Sequence, residues 1–512
     1  MNTAASQKIK RLKDLVKIVE RLKKEGKKVV LCHGVFDLLH PGHIRHFASA
    51  KKHGDILIVS ITADKYVKKG PGRPVFNEHL RSEVLSAINY IDFITISNFD
   101  SSIEVIKRIK PDFYVKGPDY KNRKNIANVP RKLGDEAEAV KKGGGKIIFT
   151  DDILFSSSKL INDYLTVYPA KTHKYLDRLR SKYTSDYIIE KLASFTQLKV
   201  MIIGDAIIDQ YHYCLPMGKS SKEPVMVHQY NSEESFAGGT LATVNHLASL
   251  SKKLTLVTLL GKKRSFKSFI GKRLKPGVNP VFFFKPNNHT IIKRRYVDLL
   301  TRQKLFQISY LKEDYIGGKL EREIVKYIKS NIKKYDLVVV NDFGHGLMTK
   351  RIIKTICNNA KFLALNVQAN SANYGFNIVT KYPKADFICI DEQEIRLATH
   401  DKFSELEGLI RKVYKKMKCR QMIITQGGKG SISYSDKEGF YETPALTDKV
   451  IDRVGAGDAL FAIATPCSYG GMEKELVSFV GNVAGALKVQ NVGNKTPIEF
   501  GDLARFITRL LK

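Results

Sequence analysis

Short apolar runs of strand length alternate with amphipathic stretches along almost the whole chain, and that alternation most narrows the choice of fold. Strands are expected near 28–33, 55–61, 91–96, 112–115 and 145–149, and again near 198–203, 336–340, 362–366, 386–390 and 421–425. Helices between successive strands impose crossover connections. The sheets should therefore be mostly parallel and doubly wound, with the loops at the carboxyl ends of the strands available to ligands. At 512 residues the chain exceeds one comfortable domain, and two large α/β domains are expected, each with its own core.

The apolar run Lys28–Cys32 leads into Gly34-Val-Phe-Asp-Leu-Leu-His-Pro-Gly-His43, where a strand opens into a helix. A helix start offers unpaired N–H groups and the positive end of the dipole, so it suits phosphate. His40 and His43, three apart across the first turn, can point at the same phosphates. Further on, Phe155-Ser-Ser-Ser-Lys-Leu-Ile161 places hydroxyls at a second helix start. The two stretches together resemble the signatures of the cytidylyltransferase-like nucleotidyltransferases. The resemblance implies a Rossmann-like sheet, catalytic roles for His40 and His43, loop shaping by Gly34 and Phe36, and nucleotide binding by Ser156, Ser157 and Ser158. Lys68-Lys-Gly-Pro-Gly-Arg-Pro-Val75, Arg81 and Val115-Lys-Gly-Pro-Asp-Tyr120 align by type with the sugar-phosphate branch of that family. On that basis Lys68 is a nucleotide ligand, and Lys116 and Asp119 are substrate ligands at a strand end.

Near the other end stands Asp452-Arg-Val-Gly-Ala-Gly-Asp-Ala-Leu460. Gly455, Ala456 and Gly457 let backbone N–H groups approach a γ-phosphate, and Asp458 is placed to take the acceptor hydroxyl's proton. The pattern D-x-x-G-A-G-D resembles the closing motif of the ribokinase-like (phosphofructokinase-B) sugar kinases, and the flanks follow that family's order. Val200–Asp209 reads as a first strand ending in the sugar-contacting Asp209, and Gly238 and Gly239 match the double-glycine substrate loop. Asn341–Gly346 follows the strand Leu337–Val340. Asp391 and Glu394 occupy the metal-associated N-x-x-E position with Asp for Asn, implying Mg2+, and Thr425, Gly427 and Gly430 fall in the nucleotide-binding T-x-G-x-x-G turn. Two departures alter the acceptor side: Ala242 stands where an Asn is usual, and Asn366-Val-Gln368 replaces D-P-K. Gly218-Lys-Ser220 is no P-loop tail, because position 213 is Tyr rather than Gly.

Residues 1–167 are expected to form the nucleotidyltransferase domain, 168–197 a helical linker with its stripe at Tyr175, Leu176, Leu179 and Tyr183, and 198–512 the ribokinase-like domain. Residues 211–230 and 281–310, rich in Tyr, Val and Phe, would make its small β lid; such lids commonly supply a dimer interface, so a homodimer is expected. The stripe Ile9, Leu12, Leu15, Val16, Val19, Leu22 reads as a packed leading helix, since Asp14, Glu20 and Glu25 argue against a targeting peptide. The formal charge of +35 raises the question of nucleic acid, but the lysines are spread along the chain with no nucleic-acid-reading motif and no Trp. No nucleic-acid partner is expected, only attraction for anionic nucleotides and sugar phosphates. The six separated cysteines read as reduced core residues, and no apolar run reaches eighteen residues, so no membrane partner and a cytoplasmic location are expected.

The two halves together resemble the bifunctional heptose-7-phosphate kinase / heptose-1-phosphate adenylyltransferases, with the transferase placed first rather than second. That resemblance implies Mg-ATP for the kinase and ATP or CTP for nucleotidyl transfer, in the synthesis of a nucleotide sugar for cell-surface glycans. Two rivals stand beside it. One is a cytidylyltransferase and kinase acting on a different phosphorylated alcohol; the other is a nucleotide-sensing binding protein with one silent half.

Overall fold

Val29 and Leu31 pack into one apolar cluster and Val30 and Cys32 into another, and all four are fully buried, so their strand has no wet face. Both faces of a sheet are covered in this way only when helices lie on each side, which the crossovers of a parallel sheet supply. The computed structural model describes residues 7–67, 73–117, 131–150, 168–312 and 314–512. It divides into two units, Met1–Pro169 together with Ala504–Lys512, and Ala170–Leu503.

In the first unit the strands are β1 (Val29–Gly34), β2 (Ile56–Thr62), β3 (Phe93–Ser97), β4 (Phe113–Lys116) and β5 (Lys146–Phe149). They are ordered β3-β2-β1-β4-β5 and all parallel. The leading helix Leu12–Lys24 buries Leu15 and Val19 on the face that carries Val29 and Leu31. Phe47 of the helix Pro41–Lys51 closes the opposite face with Val30 and Cys32.

The second unit is built on β6 (Lys199–Lys219), a 21-residue strand shared by two layers. Its first half lies in a sheet with β8 (Lys253–Gly261), β9 (Val278–Lys285), β12 (Leu337–Asp342), β13 (Leu363–Val367), β14 (Phe387–Asp391) and β15 (Gln421–Thr425), all parallel. The hairpin β16 (Ser431–Ser435) and β17 (Gly439–Thr443) adds two antiparallel strands at the edge. The second half of β6 leaves this sheet and pairs with β7 (Met226–Gly239) and β10 (Ile291–Asp298), with β11 (Lys304–Tyr310) outermost. These four strands are the lid. The sequence placed all of 281–310 there, but Val278–Lys285 pairs with β8 in register Leu254↔Val278 to Gly261↔Lys285 and belongs to the main sheet. A strand and its neighbour's continuation carry the same Val/Phe composition, so only the pairing separates them.

Two further boundaries differ from the sequence reading. Residues 168–197, expected as a helical linker, do contain helices, Ala170–Lys182 and Ser185–Ala193, and these group with the second unit. Tyr175, Leu176 and Leu179 are buried, and Arg178 and Lys182 pair with Glu475 at 2.5 and 3.2 Å. Ala504–Lys512 group with the first unit, although the sequence ran the second domain to 512. An amphipathic helix shows the same apolar stripe whichever core it covers, so periodicity could not assign it. Among the described residues no helix is long and apolar enough to cross a membrane.

Candidate active sites

In the first unit the strand order turns back beside β1, and ligands in open α/β sheets bind at the carboxyl ends of strands next to such a reversal. β1 ends there at Gly34, and the helix Pro41–Lys51 follows with Pro41 in its first turn and His40 as its N-cap residue. Phe36 takes a left-handed backbone (φ 49°) and sets its ring edge-on to His43, centroids 5.5 Å apart. The His40 and His43 rings lie 3.9 Å apart and tilted by 30°, so both imidazoles occupy one corner at the helix start. Burial lowers the pKa of His40, favouring the neutral ring.

Two buried ions hold this loop. Asp37 accepts from Arg73 at 2.5 Å and from the N–H groups of Val75 and Phe76 at 2.6 and 3.2 Å. The Arg81 side chain, fully buried, donates to the carbonyls of Val35, Thr62 (2.9 Å) and Phe76 (3.0 Å) and pairs with Asp64 at 2.5 Å. The sequence placed Arg81 among the sugar-phosphate segments; the structure shows it bracing the turn after β1. Lys116, expected to meet substrate, pairs its buried ammonium with Glu136 at 2.8 Å. Lys68, Asp119, Ser156, Ser157 and Ser158 lie outside the described residues.

In the second unit the parallel strands β13, β14 and β15 end around a cleft of about 430 Å³. Thr425, Gly427 and Gly430 from the turn after β15 form one wall, and Gly455, Ala456, Gly457 and Asp458 form another. Asp391 and Glu394 stand at the end of β14 between them. Gly455 has φ +81°, and a Cβ there would lie 2.3 Å from Asn494 Oδ1, so both backbone conformation and space demand glycine. The helix Ala456–Tyr469 starts at this residue. The Ala456 N–H turns back to the Arg453 carbonyl at 3.3 Å, leaving Gly457 and Asp458 to supply the first-turn N–H groups for an anion.

Asp458 is buried and accepts from Gln368 Nε2 at 2.8 Å and Asn341 Nδ2 at 3.5 Å. Burial pushes its pKa up to about 6, with the Gln368 hydrogen bond pulling down and Asp209 pushing up. A carboxylate in that range is a competent proton acceptor near neutral pH. Gln368, the residue in place of the family's Lys, is thus in direct contact with the proposed base.

On the acceptor side Asp209 pairs with Arg295 at 2.5 Å. Gly238 is needed there because a Cβ would fall 2.0 Å from Asp209 Oδ2. Lys293 from β10 is largely buried and feels Asp209, Asp205 and Asp458. His345 is buried with neither ring nitrogen hydrogen-bonded, and burial beside Lys293 lowers its pKa to about 4. Sequence reasoning missed Lys293, Arg295 and Asn494, and took His345 only as part of the stretch Asn341–Gly346. The lid strands gave them no signal beyond composition, since contacts made between β6, β10 and the loop after residue 488 are nonlocal.

Asp391 and Glu394 form a reciprocal cap: Asp391 Oδ1 accepts from the Glu394 N–H at 2.7 Å, and Glu394 Oε2 accepts from the Asp391 N–H at 2.8 Å. Glu394 Oε1 also accepts from Ala369 N–H at 3.0 Å. Burial first, then Asp391, raises the Glu394 pKa to about 8. Three carboxylates around one cleft, all with their pKa raised by burial, fit a divalent cation arriving with a polyphosphate. Their engaged oxygens favour holding such a cation through its waters. Among the described residues no group of three ligands stands ready to bind a metal directly.

A doubly wound α/β unit with a β lid, a glycine-lined helix start and an adjacent buried carboxylate defines a phosphotransferase-type fold. Residues 197–500 match the model of the pfkB family of carbohydrate kinases, and the chain belongs to that family. Residues 31–163 match the cytidylyltransferase-like model. Among curated proteins, the chain is 36% identical over 163 residues to the "Bifunctional protein HldE" of Desulfatibacillum aliphaticivorans, covering 31% of this chain and 32% of that one. It is 40% identical over 313 residues to the protein of the same name from Campylobacter jejuni subsp. jejuni serotype O:6, covering 60% of this chain and 64% of that one. The chain therefore spans less than two thirds of the length of these relatives. Phosphofructokinase-2 from Escherichia coli, solved in complex with potassium and in complex with substrates and products, superposes with a TM-score of 0.50 at 10% and 11% identity. Each covers 62% of this chain and 100% of its own, a likeness of fold.

Proposed function

We propose that the chain is a bifunctional enzyme of nucleotide-sugar synthesis, whose second unit phosphorylates the anomeric hydroxyl of a sugar phosphate and whose first unit joins a sugar 1-phosphate to a nucleotide. The observation that carries the reading is Asp458: a buried carboxylate with a pKa near 6, at a glycine-lined helix start, in the same cleft as the Thr425–Gly430 turn.

In the kinase step Asp458 accepts the proton as the acceptor oxygen attacks the γ-phosphorus, and the bond to the β-phosphate oxygen breaks to release ADP. The N–H groups of Gly457 and Asp458 hold the charge on the phosphoryl oxygens, while Gln368 and Asn341 orient the carboxylate. Mg2+ carried by ATP, held beside Asp391 and Glu394, would supply neutralisation of the phosphate charge. Asp209 orients the sugar, and the positive charge of Lys293 and Arg295 favours an acceptor already phosphorylated.

In the transferase step a sugar 1-phosphate oxygen attacks the α-phosphorus of the nucleotide and pyrophosphate departs, with His40 and His43 stabilising the transferring phosphoryl group. Gly34 and Phe36 set the loop, and Lys68, Asp119 and Ser156 to Ser158 would complete nucleotide and sugar binding. The resemblance of the two halves to the bifunctional heptose enzymes favours ATP and a heptose; ATP against CTP is decided by turnover. A second copy is proposed to pair across the lid, where Met226, Tyr230, Phe306 and Tyr310 are exposed, and the molar mass in solution by light scattering tests it, a monomer mass sinking the proposal.

A kinase that adds phosphate to a sugar phosphate makes a bisphosphate, whereas the transferase needs a monophosphate at the anomeric carbon. Neither described unit carries a D-x-D strand end for a phosphatase, since Asp205 and Asp209 are four apart. The purified chain given sugar phosphate, ATP and the second nucleotide should therefore stop at the bisphosphate by 31P NMR and form nucleotide sugar only when a phosphatase is added. Nucleotide sugar formed by the chain alone would move the kinase substrate to an unphosphorylated sugar.

A further inference from the structure

Lys488 ends the helix Lys474–Lys488 with its side chain wholly buried, among the largest fully buried side chains of the protein. Its ammonium donates to the carbonyl of Gly493 at 2.6 Å and to that of Val454 at 3.1 Å. Val454 immediately precedes Gly455, the N-cap residue of the helix that offers its first-turn N–H groups to phosphate. Gly493 lies in the loop that presses Asn494 against Gly455. A second set of bonds closes the same ring: Asp452 accepts from the N–H groups of Gly493 at 2.8 Å and Val454 at 3.1 Å, from the Tyr211 hydroxyl at 2.7 Å and from Lys304 at 2.5 Å.

We propose that Lys488 is a positioning residue for phosphoryl transfer: an internal cation that clamps the loop before the glycine-lined helix start to the loop after residue 488, and so fixes where the anion-binding N–H groups point. This rests on the kinase reading of the second unit. A leucine would fill the same space without the heavy desolvation cost of a buried ammonium, so tight packing alone does not account for a lysine. What lysine adds is a donor to two backbone carbonyls that no apolar side chain can satisfy, and a positive charge near the centre of a site that handles phosphate. Burial pulls its pKa down to about 8, with Asp452, Asp458 and Asp209 pushing it back up and Lys304 lowering it further. The neighbouring His246, buried and neutral, adds no competing charge at neutral pH.

The test compares Lys488→Met, which keeps length and loses charge, Lys488→Arg, and Lys488→Ala with and without methylammonium, all in the full chain. Lys488→Met should lower the kcat of ATP-dependent phosphoryl transfer about 50-fold with the KM for ATP within about threefold, since the loop rather than the nucleotide contact is lost. Methylammonium should restore Lys488→Ala at least about fivefold where tetramethylammonium at equal ionic strength does not, and nucleotidyl transfer should be unchanged in every preparation. A kcat for Lys488→Met within about twofold of wild type, or no response of Lys488→Ala to methylammonium, overturns the proposal. Should Lys488→Met fail to fold, the alanine variant with amine decides alone. If wild type phosphorylates no sugar phosphate, the functional reading falls, and Lys488 is judged by binding of ADP with aluminium fluoride. Weaker binding to Lys488→Met by about tenfold, with ADP alone unchanged, supports the clamp, and equal binding sinks it.

Discussion

Asp458 illustrates how one residue's chemistry is set by what surrounds it. In the sequence it is the last letter of a motif; in the structure burial raises its pKa to about 6 while Gln368 and Asn341 orient it. Asp458→Asn should abolish phosphoryl transfer with only a modest change in ATP affinity, because Asn keeps the shape and loses the basicity. In the wild type, kinase turnover should fall as pH drops through about 6, since the acceptor needs the deprotonated carboxylate; a kcat flat from pH 8 to pH 5 would remove Asp458 as the base. His43→Ala should lower nucleotidyl transfer by about 10² to 10³ and leave kinase turnover near wild type, read as pyrophosphate release and ADP formation in one preparation. Arg81 acts differently: its guanidinium satisfies three carbonyls and Asp64 from a fully buried position. Arg81→Met strands those acceptors, and urea unfolding of the first unit should show a loss of about 3 to 5 kcal/mol.

Elements carry a second kind of dependence. The helix Thr240–Leu247, which follows the double-glycine loop, is anchored through His246, whose Nδ1 accepts the Ile498 N–H at 3.1 Å. Burial, then Lys488 and Lys275, lowers the His246 pKa from 6.5 to about 3. Between those values the unfolded chain binds a proton that the folded one refuses, so stability is full above about 6.5 and declines as pH falls toward 3. From pH 7 to pH 5 this one group should account for about 2 kcal/mol. His246→Gln should be less stable at pH 7, having lost a fitted ring, yet show a shallower pH slope in urea midpoints; parallel slopes would show that His246 titrates normally. The lid strands depend on the same kind of tie, since Lys304 of β11 and Tyr211 of β6 both end on Asp452 of the glycine motif.

At the scale of the whole molecule, Ala504–Lys512 belong with the first unit although they end the chain. Phe506, Ile507 and Leu510 are buried, and Arg509 donates to the Tyr168 hydroxyl at 3.3 Å. Each such apolar side chain is worth about 2 kcal/mol, so removing 504–512 should lower the unfolding temperature of the first unit by about 10 °C or more and cut nucleotidyl transfer with it. An unchanged transition would show that these residues contribute nothing to that unit. The sequence by itself determined the alternation of strand and helix, the mostly parallel sheets and the two helix starts expected to hold phosphate, because period, glycine and capping chemistry are local properties of consecutive residues. The folding of Gly455, Ala456, Gly457 and Asp458 into one cleft with Thr425 was readable too, through the motifs, although no single stretch contains it. What only the tertiary structure decided is nonlocal: that Lys116 pairs with Glu136, that 281–285 joins the main sheet, that Arg295 and Asn494 reach Asp209, and that Lys488 lies under the glycine loop. Burial and pairing of these groups depend on elements tens to hundreds of residues away. A charged residue reads the same in sequence whether it faces water, a partner or a substrate.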